Sequence, residues 1–339
     1  MKIKVVYSTL LILLASCTSE FPTTPGSNSQ EQEIPVQFTF SIESQYNEPS
    51  RAVIEENYLK EGAQIGIYAL KGITDDGNFM LTQNTQTGQT WSSDNIQTNF
   101  KNACYIAKTI KDYKDNEIHQ LVASGATGSF PAGENAALRF YAYYPYTSEA
   151  IYSGISENGQ YPAAPKIPVY IEDNIEDTPD YLYSGPIDAQ GTDGSVNIEF
   201  KHALARLNIY IKTNNPNYNE RECPVITNIK ISAYSSQEGT MNIENGNITP
   251  GTAKRWDFSK EINRDLYYLG DEADPILLYS NLFIPRMQNN NYAAFFYYIE
   301  VTVRGINGST KIFKFDNSDL SDIVLEKGKI TNLLINYDL

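Results

Sequence analysis

Residues 196–212, VNIEFKHALARLNIYIK, restrict the fold more than any other stretch of the chain. Val196, Ile198 and Phe200 alternate with Asn197, Glu199 and Lys201, and Leu207, Ile209 and Ile211 alternate again after a compact HALAR. Period-two alternation sends successive side chains to opposite faces of a sheet, so each half reads as a strand with one apolar face. Ala203 and Ala205 between them leave room for a neighbouring layer to approach closely. A turn-forming run, GTDGS at 191–195, precedes the whole.

The same period recurs along the chain. Residues 34–44, IPVQFTFSIES, put Val36, Phe38, Phe40 and Ile42 on one face, and residues 64–70, 167–171, 181–183 and 225–233 also read as strands. In LRFYAYYPY (138–146), Phe140, Ala142 and Tyr144 face one way and Tyr141 and Tyr143 the other. Core plus flank in a sheet is therefore favoured over a tyrosine platform for sugar rings. Residues 293–305 form the clearest strand, with Phe295, Tyr297, Ile299, Val301 and Val303 expected on one face. It meets 310–315 across Ile306-Asn307-Gly308-Ser309, where Asn-Gly is expected to supply a pair of positive φ angles. The sequons at Asn247 and Asn307 read as turns. Residues 95–119 are ambiguous, because Ile96, Phe100, Ala103, Ala107 and Ile110 recur at helical spacing and predict a helix or a helix-containing insertion.

Aromatic richness (25 Tyr, 14 Phe) and the lack of long Ala/Leu/Glu/Lys helical runs agree with sheets. A chain of 339 residues is long enough for two ordinary domains. The net charge of -15, with no basic stripe, argues against nucleic acid as a partner. With two histidines, three cysteines, no HExxH, no CxxC and no Gly-rich phosphate loop, no catalytic residues, metal ligands or cofactor are assigned, and an enzyme is not expected. The acidic run IEDNIEDTPD (171–180) lacks the rhythm that wraps ligands around calcium and reads as a solvated loop. Cys104 and Cys223 fall in different expected domains, which disfavours a bridge. His202 reads as a satisfied structural histidine.

Residues 1–17 read as an export signal: Lys2 and Lys4, an apolar run at 5–15 too short to span a bilayer, then Leu14-Ala15-Ser16-Cys17. That ending matches a bacterial lipobox, which makes the Cys17 thiol the lipid attachment site, acyl chains such as palmitate then holding the chain to a membrane surface. Residues 18–33, rich in Ser, Thr, Pro and Gln, read as a flexible tether.

GAQIGIYAL (62–70), LRFYAYYPY (138–146) and VNIEFKHALARLNIYIK (196–212), in that order and behind a lipobox, resemble the fimbrillin family, pilus subunits and accessory subunits of Bacteroides-type bacteria. The resemblance implies an all-β chain of two tandem transthyretin-like β-sandwich domains, 34–190 and 191–339, after the signal and tether. It implies proteolytic processing between Arg51 and Ala52, which would remove the lipid anchor together with the strand at 36–42. It further implies donor-strand exchange, for which the C-terminal strand with Leu333, Ile335, Tyr337 and Leu339 on one side is the candidate donor. The expected partners are other pilin subunits in a homo- or hetero-polymer, the outer membrane through Cys17, and a host or bacterial surface ligand. The expected location is the cell outer membrane, lipid-anchored and surface-exposed, or the fimbrium once processed. The alternative is a surface lipoprotein that binds glycan or host protein without polymerising.

Overall fold

The computed structural model describes residues 34–43, 54–55, 58–75, 78–81, 90–91, 94–111, 114–131, 136–149, 163–173, 175, 177–219, 221–268, 275–285, 287–288, 291–292 and 295–337. Alternating apolar and polar residues produce strands through almost all of this, and the class is all-β.

The largest sheet has nine strands. Its order is Ile187–Gln190, Ala136–Tyr144, Leu182–Tyr183, Val196–His202, Phe38–Ile42, Glu117–Ala123, Ala103–Lys111, Gln64–Asp75 and Asn78–Leu81. Gln64–Asp75 also pairs antiparallel with Ala136–Tyr144, from Gly66↔Tyr143 to Ile73↔Ala136, so the hydrogen-bonded strands close on themselves. The inward residues form the first core, in which Ile65, Ile67, Leu138, Phe140, Ile198 and Phe200 are buried.

Two further sheets face each other. One runs Ile276–Phe283, Ala205–Lys212, Ile330–Asn336; the other runs Lys254–Asp265, Val225–Ser235, Phe295–Arg304, Thr310–Asp316. Leu207, Ile209 and Ile211 of the first meet Ile229, Ile231, Val301 and Val303 of the second in another core, each of these fully buried. The stretch at 196–212 therefore does two jobs: Val196–His202 is a member of the nine-stranded sheet, and Ala205–Lys212 is the middle strand of the three-stranded one. Ala203 and Leu204, both fully buried, carry the chain across.

A third core lies under that crossing. Tyr68, Leu70, Tyr141 and Tyr143 of the nine-stranded sheet pack with Met241, Ile243, Leu282 and Ile284 from later in the chain. Beside it, Lys166–Tyr170 pairs antiparallel with Glu238–Asn242. Ala136–Tyr144 is thus apolar on both sides because both are covered, Phe140 and Ala142 by the first core and Tyr141 and Tyr143 by the third. Gly66 makes this possible: a Cβ there would sit 2.1 Å from the Tyr143 ring.

Three local expectations are corrected. The described residues of 95–119 hold no helix beyond a single 3-10 turn at Thr98–Phe100; the strands Ala103–Lys111 and Glu117–Ala123 follow. Tyr105 and Ala107 also satisfy a two-residue period, and pairing with strands on both sides outweighs the helical spacing of Ile96, Phe100, Ala103, Ala107 and Ile110. In Phe295–Arg304 the register slips between Ser232 and Ala233 of its partner. This bulge makes Phe296, rather than Tyr297, share the buried face with Ile299, Val301 and Val303, while Tyr297 is 48% exposed. At the following hairpin only Gly308 has positive φ, at 77°. Asn307 instead uses Oδ1 to accept from the Ser309 N–H at 3.0 Å, an Asx contact that replaces a left-handed residue.

Candidate functional site

The first described strand, Phe38–Ile42, occupies an interior position of its sheet although it comes so early in the chain. On one side it runs parallel to Val196–His202, with Phe38↔Val196 through Ile42↔Phe200 in register. On the other it pairs antiparallel with Glu117–Ala123, at Phe38↔Leu121 and Thr39↔Gln120. Val196 N donates to Gln37 O at 2.8 Å and Glu43 N to Phe200 O at 2.8 Å, while Val36 N donates to Gly128 O at 3.0 Å.

Alternation does the rest. Val36, Phe38, Phe40 and Ile42 are each at most 5% exposed and belong to the first core. Phe38 meets Phe100, Tyr105 and Phe140 edge-on, with ring centroids 6.0, 5.2 and 5.2 Å away. Phe40 is tilted against His119 and edge-on to Phe200. Burial pushes the Tyr105 phenol above its ordinary pKa, and donation from the Gly128 N–H offsets part of that, so the aromatic box stays uncharged. Withdrawing this strand would leave a groove floored by aromatic rings and walled by the unpaired backbone of Val196–His202 and Glu117–Ala123. Such a groove accepts an extended peptide: main-chain hydrogen bonds supply affinity, and pockets for alternate side chains supply register.

The chain continues from Glu43 into residues 44–53, which contain Arg51 and Ala52 and lie outside the described residues, as do Cys17 and Leu339. The C-terminal strand Ile330–Asn336 runs parallel to Ala205–Lys212, with Leu333 opposite Ile209 and Ile335 opposite Ile211. Ile335 and Tyr337 are buried in the second core, Leu333 packs against it, and Tyr337 N donates to Lys212 O at 2.8 Å. As a donor, this strand would first have to leave its own sheet.

Four other sequence candidates have clear environments. His202 Nδ1 lies 2.8 Å from Asp180 Oδ2, with both side chains all but excluded from solvent. In the acidic run, Asp173 Oδ1 accepts from Trp256 Nε1 at 2.7 Å and Gln237 Nε2 at 3.0 Å, which ties that loop down. Cys104 and Cys223 are unbridged and half-buried. Tyr141, Tyr143 and Tyr144 offer no surface for sugar stacking, being 2%, 0% and 6% exposed, and Tyr146 is half-buried against the third core. Sequence reasoning misses one wall, Glu117–Ala123, and the aromatic floor. The helical spacing over 95–119 takes in Phe100 and Tyr105, although Tyr105 and Ala107 alternate with Cys104 and Ile106 as a strand requires.

The fimbrillin-like family model matches residues 50–338. The chain belongs to the fimbrillin-like family. Its fold is similar to that of a putative cell adhesion protein from Bacteroides uniformis, at 17% identity and a TM-score of 0.50, covering 91% of this chain and 93% of that one. A putative cell adhesion protein from Bacteroides ovatus follows at 16% identity and a TM-score of 0.47, covering 90% and 92% of the two chains. A fimbrial protein from Bacteroides vulgatus matches at 15% identity and a TM-score of 0.44, covering 88% and 95%. Among curated proteins none matches the sequence.

Proposed function

We propose that this fimbrillin-like chain is a subunit or accessory component of a surface pilus and assembles by strand addition after its first strand is removed. The observation that carries the reading is the position of Phe38–Ile42: an early, buried, fully registered interior strand whose only covalent link onward passes through Arg51-Ala52. Cleavage there frees the strand from the rest of the chain together with the lipid on Cys17, and a neighbour's strand then fills the groove. The candidate donor is the C-terminal strand bearing Leu333, Ile335, Tyr337 and Leu339, which must detach from Ala205–Lys212 before it can serve. The division into two tandem sandwiches, 34–190 and 191–339, is part of this reading; Val196–His202, just past that boundary, still pairs within the nine-stranded sheet. In its unprocessed form the protein is held to the outer membrane through Cys17; processed, it joins the fimbrium and contributes to adhesion.

Intact mass and N-terminal sequence of the protein recovered from cells test this directly. A chain beginning at Ala52 is expected for a polymerising subunit, and an acylated chain beginning at Cys17 for an anchor or accessory protein. Protein cut after Arg51 that stays monomeric and takes up no synthetic strand peptide would refute the strand-addition role.

A further inference from the structure

A cavity of about 450 Å³ lies on the open side of the second sandwich, well apart in sequence from the strand groove, where Lys254–Asp265 and Ile276–Phe283 are both terminal strands of their sheets. Its chemistry is unusual for that place. In register, Lys260 stands opposite Ile229 and Arg264 opposite Ile226, two fully buried residues, so alternation calls for apolar side chains there. Both positions carry cations instead, both exposed, and neither forms an ion pair among the described residues.

A third cation completes the set. Arg206 is 4% exposed in the cavity wall, where its Nε donates to Ser280 Oγ at 2.9 Å and Asn208 Oδ1 at 3.2 Å, which fixes the guanidinium plane. Inward charges on an edge strand also discourage edge-to-edge pairing, and that alone would account for Lys260. It does not account for a buried arginine on a different strand, nor for a cavity of a size that suits small ligands, roughly 300–1,000 Å³. The half-buried ring of Phe258, 4.9 Å from Tyr279, forms an apolar wall, and the exposed Asp173 and Asp177 also line the cavity.

We propose that this cavity binds an acidic saccharide unit. Its carboxylate or sulfate is held by Arg206, Lys260 and Arg264, its hydroxyls donate to Asp173, Asp177 and Ser280, and its apolar face lies on Phe258. Clustered cations alone would hold any small anion, and the carboxylates alone would repel one. A sugar acid has both an anionic group and hydroxyl donors, which matches the mixed lining.

Calorimetric titration of the full chain with glucuronate, a chondroitin sulfate disaccharide, glucose, glutamate and inorganic sulfate tests this. At least one of the two acidic saccharides is expected to saturate the protein in the millimolar range or below. Glucose, glutamate and sulfate are each expected to bind about tenfold more weakly or not at all, since each lacks half of the recognised chemistry. The double variant Lys260→Ala/Arg264→Ala is expected to lose about tenfold or more in saccharide affinity with an unchanged melting temperature, both side chains being exposed. No saturation by either acidic saccharide up to about 10 mM would overturn the proposal. So would equal binding of glucose, glutamate or sulfate, or an unaltered affinity in the folded double variant.

Discussion

Replacing Phe38 by alanine is expected to cost about 3–5 kcal/mol, the range for truncating a well-packed core phenylalanine. The structure argues against a smaller value. Phe38 is 2% exposed, three aromatic rings meet it edge-on, and the strand that carries it is pinned by backbone pairing on both sides, so the walls have little freedom to collapse into the void. With a urea m-value of about 3 kcal/mol/M, at the upper end for a small protein, the unfolding midpoint should fall by about 1–1.7 M. Urea unfolding followed by circular dichroism measures this. Thr39→Ala is the internal control, because its hydroxyl makes only an exposed contact to Asn197 Oδ1 and its loss should stay within about 0.5 kcal/mol. A midpoint shift under about 0.3 M for Phe38→Ala, or one equal to the control, would mean that the strand does not fill the groove as described.

Gly66→Ala drives a methyl into the fully buried Tyr143 ring and should cost at least about 1–3 kcal/mol; adding Tyr143→Leu should recover part of the loss in the same urea assay, and no recovery would show that the ring is not the obstacle. Asp180→Ala removes the buried partner of His202 Nδ1 and should cost about 1–3 kcal/mol, with the double variant Asp180→Ala/His202→Leu losing less than the sum of the single changes in a double-mutant cycle. Burial pushes the Tyr144 phenol up to about 12 and raises those of Tyr141, Tyr143 and Tyr279 as well. A folded pKa above the unfolded value of 10 gives stability that is complete below pH 10 and lost as pH rises through the folded pKa. Unfolding free energy should therefore decline between about pH 10 and 12, with ultraviolet titration showing delayed ionisation of these tyrosines, and ordinary ionisation in native protein would contradict their burial.

Strand identity was legible wherever one face is buried, because burial on one side imposes a two-residue period: 36–42, 225–233 and 330–337 illustrate it. The helix-like reading at 95–119 failed because its apolar residues fit both periods, and Ala103–Lys111 is settled by pairing with Glu117–Ala123 and with Gln64–Asp75, the latter distant in sequence. The face assignment in Phe295–Arg304 failed at a bulge, which is a property of two strands and cannot be seen in one. The candidate groove was half legible. Its occupant was apparent from Val36 to Ile42 and one wall from Val196 to Phe200, but the three rings around Phe38 come from three separate elements, Thr98–Phe100, Ala103–Lys111 and Ala136–Tyr144. Nothing local marked the cations at 260 and 264 as lying on the core-facing side, since that depends on register with Val225–Ser235.

The buried crossing at Ala203 and Leu204 has a mechanical consequence. Two cores joined by a solvated linker would swing under load and extend before any bond broke. Here a pull that separates them must expose the third core and break the whole register between Lys166–Tyr170 and Glu238–Asn242. Along the strand axis those hydrogen bonds are loaded together in shear, not one after another. Load applied across the two cores would therefore meet resistance from the third core before the chain could extend.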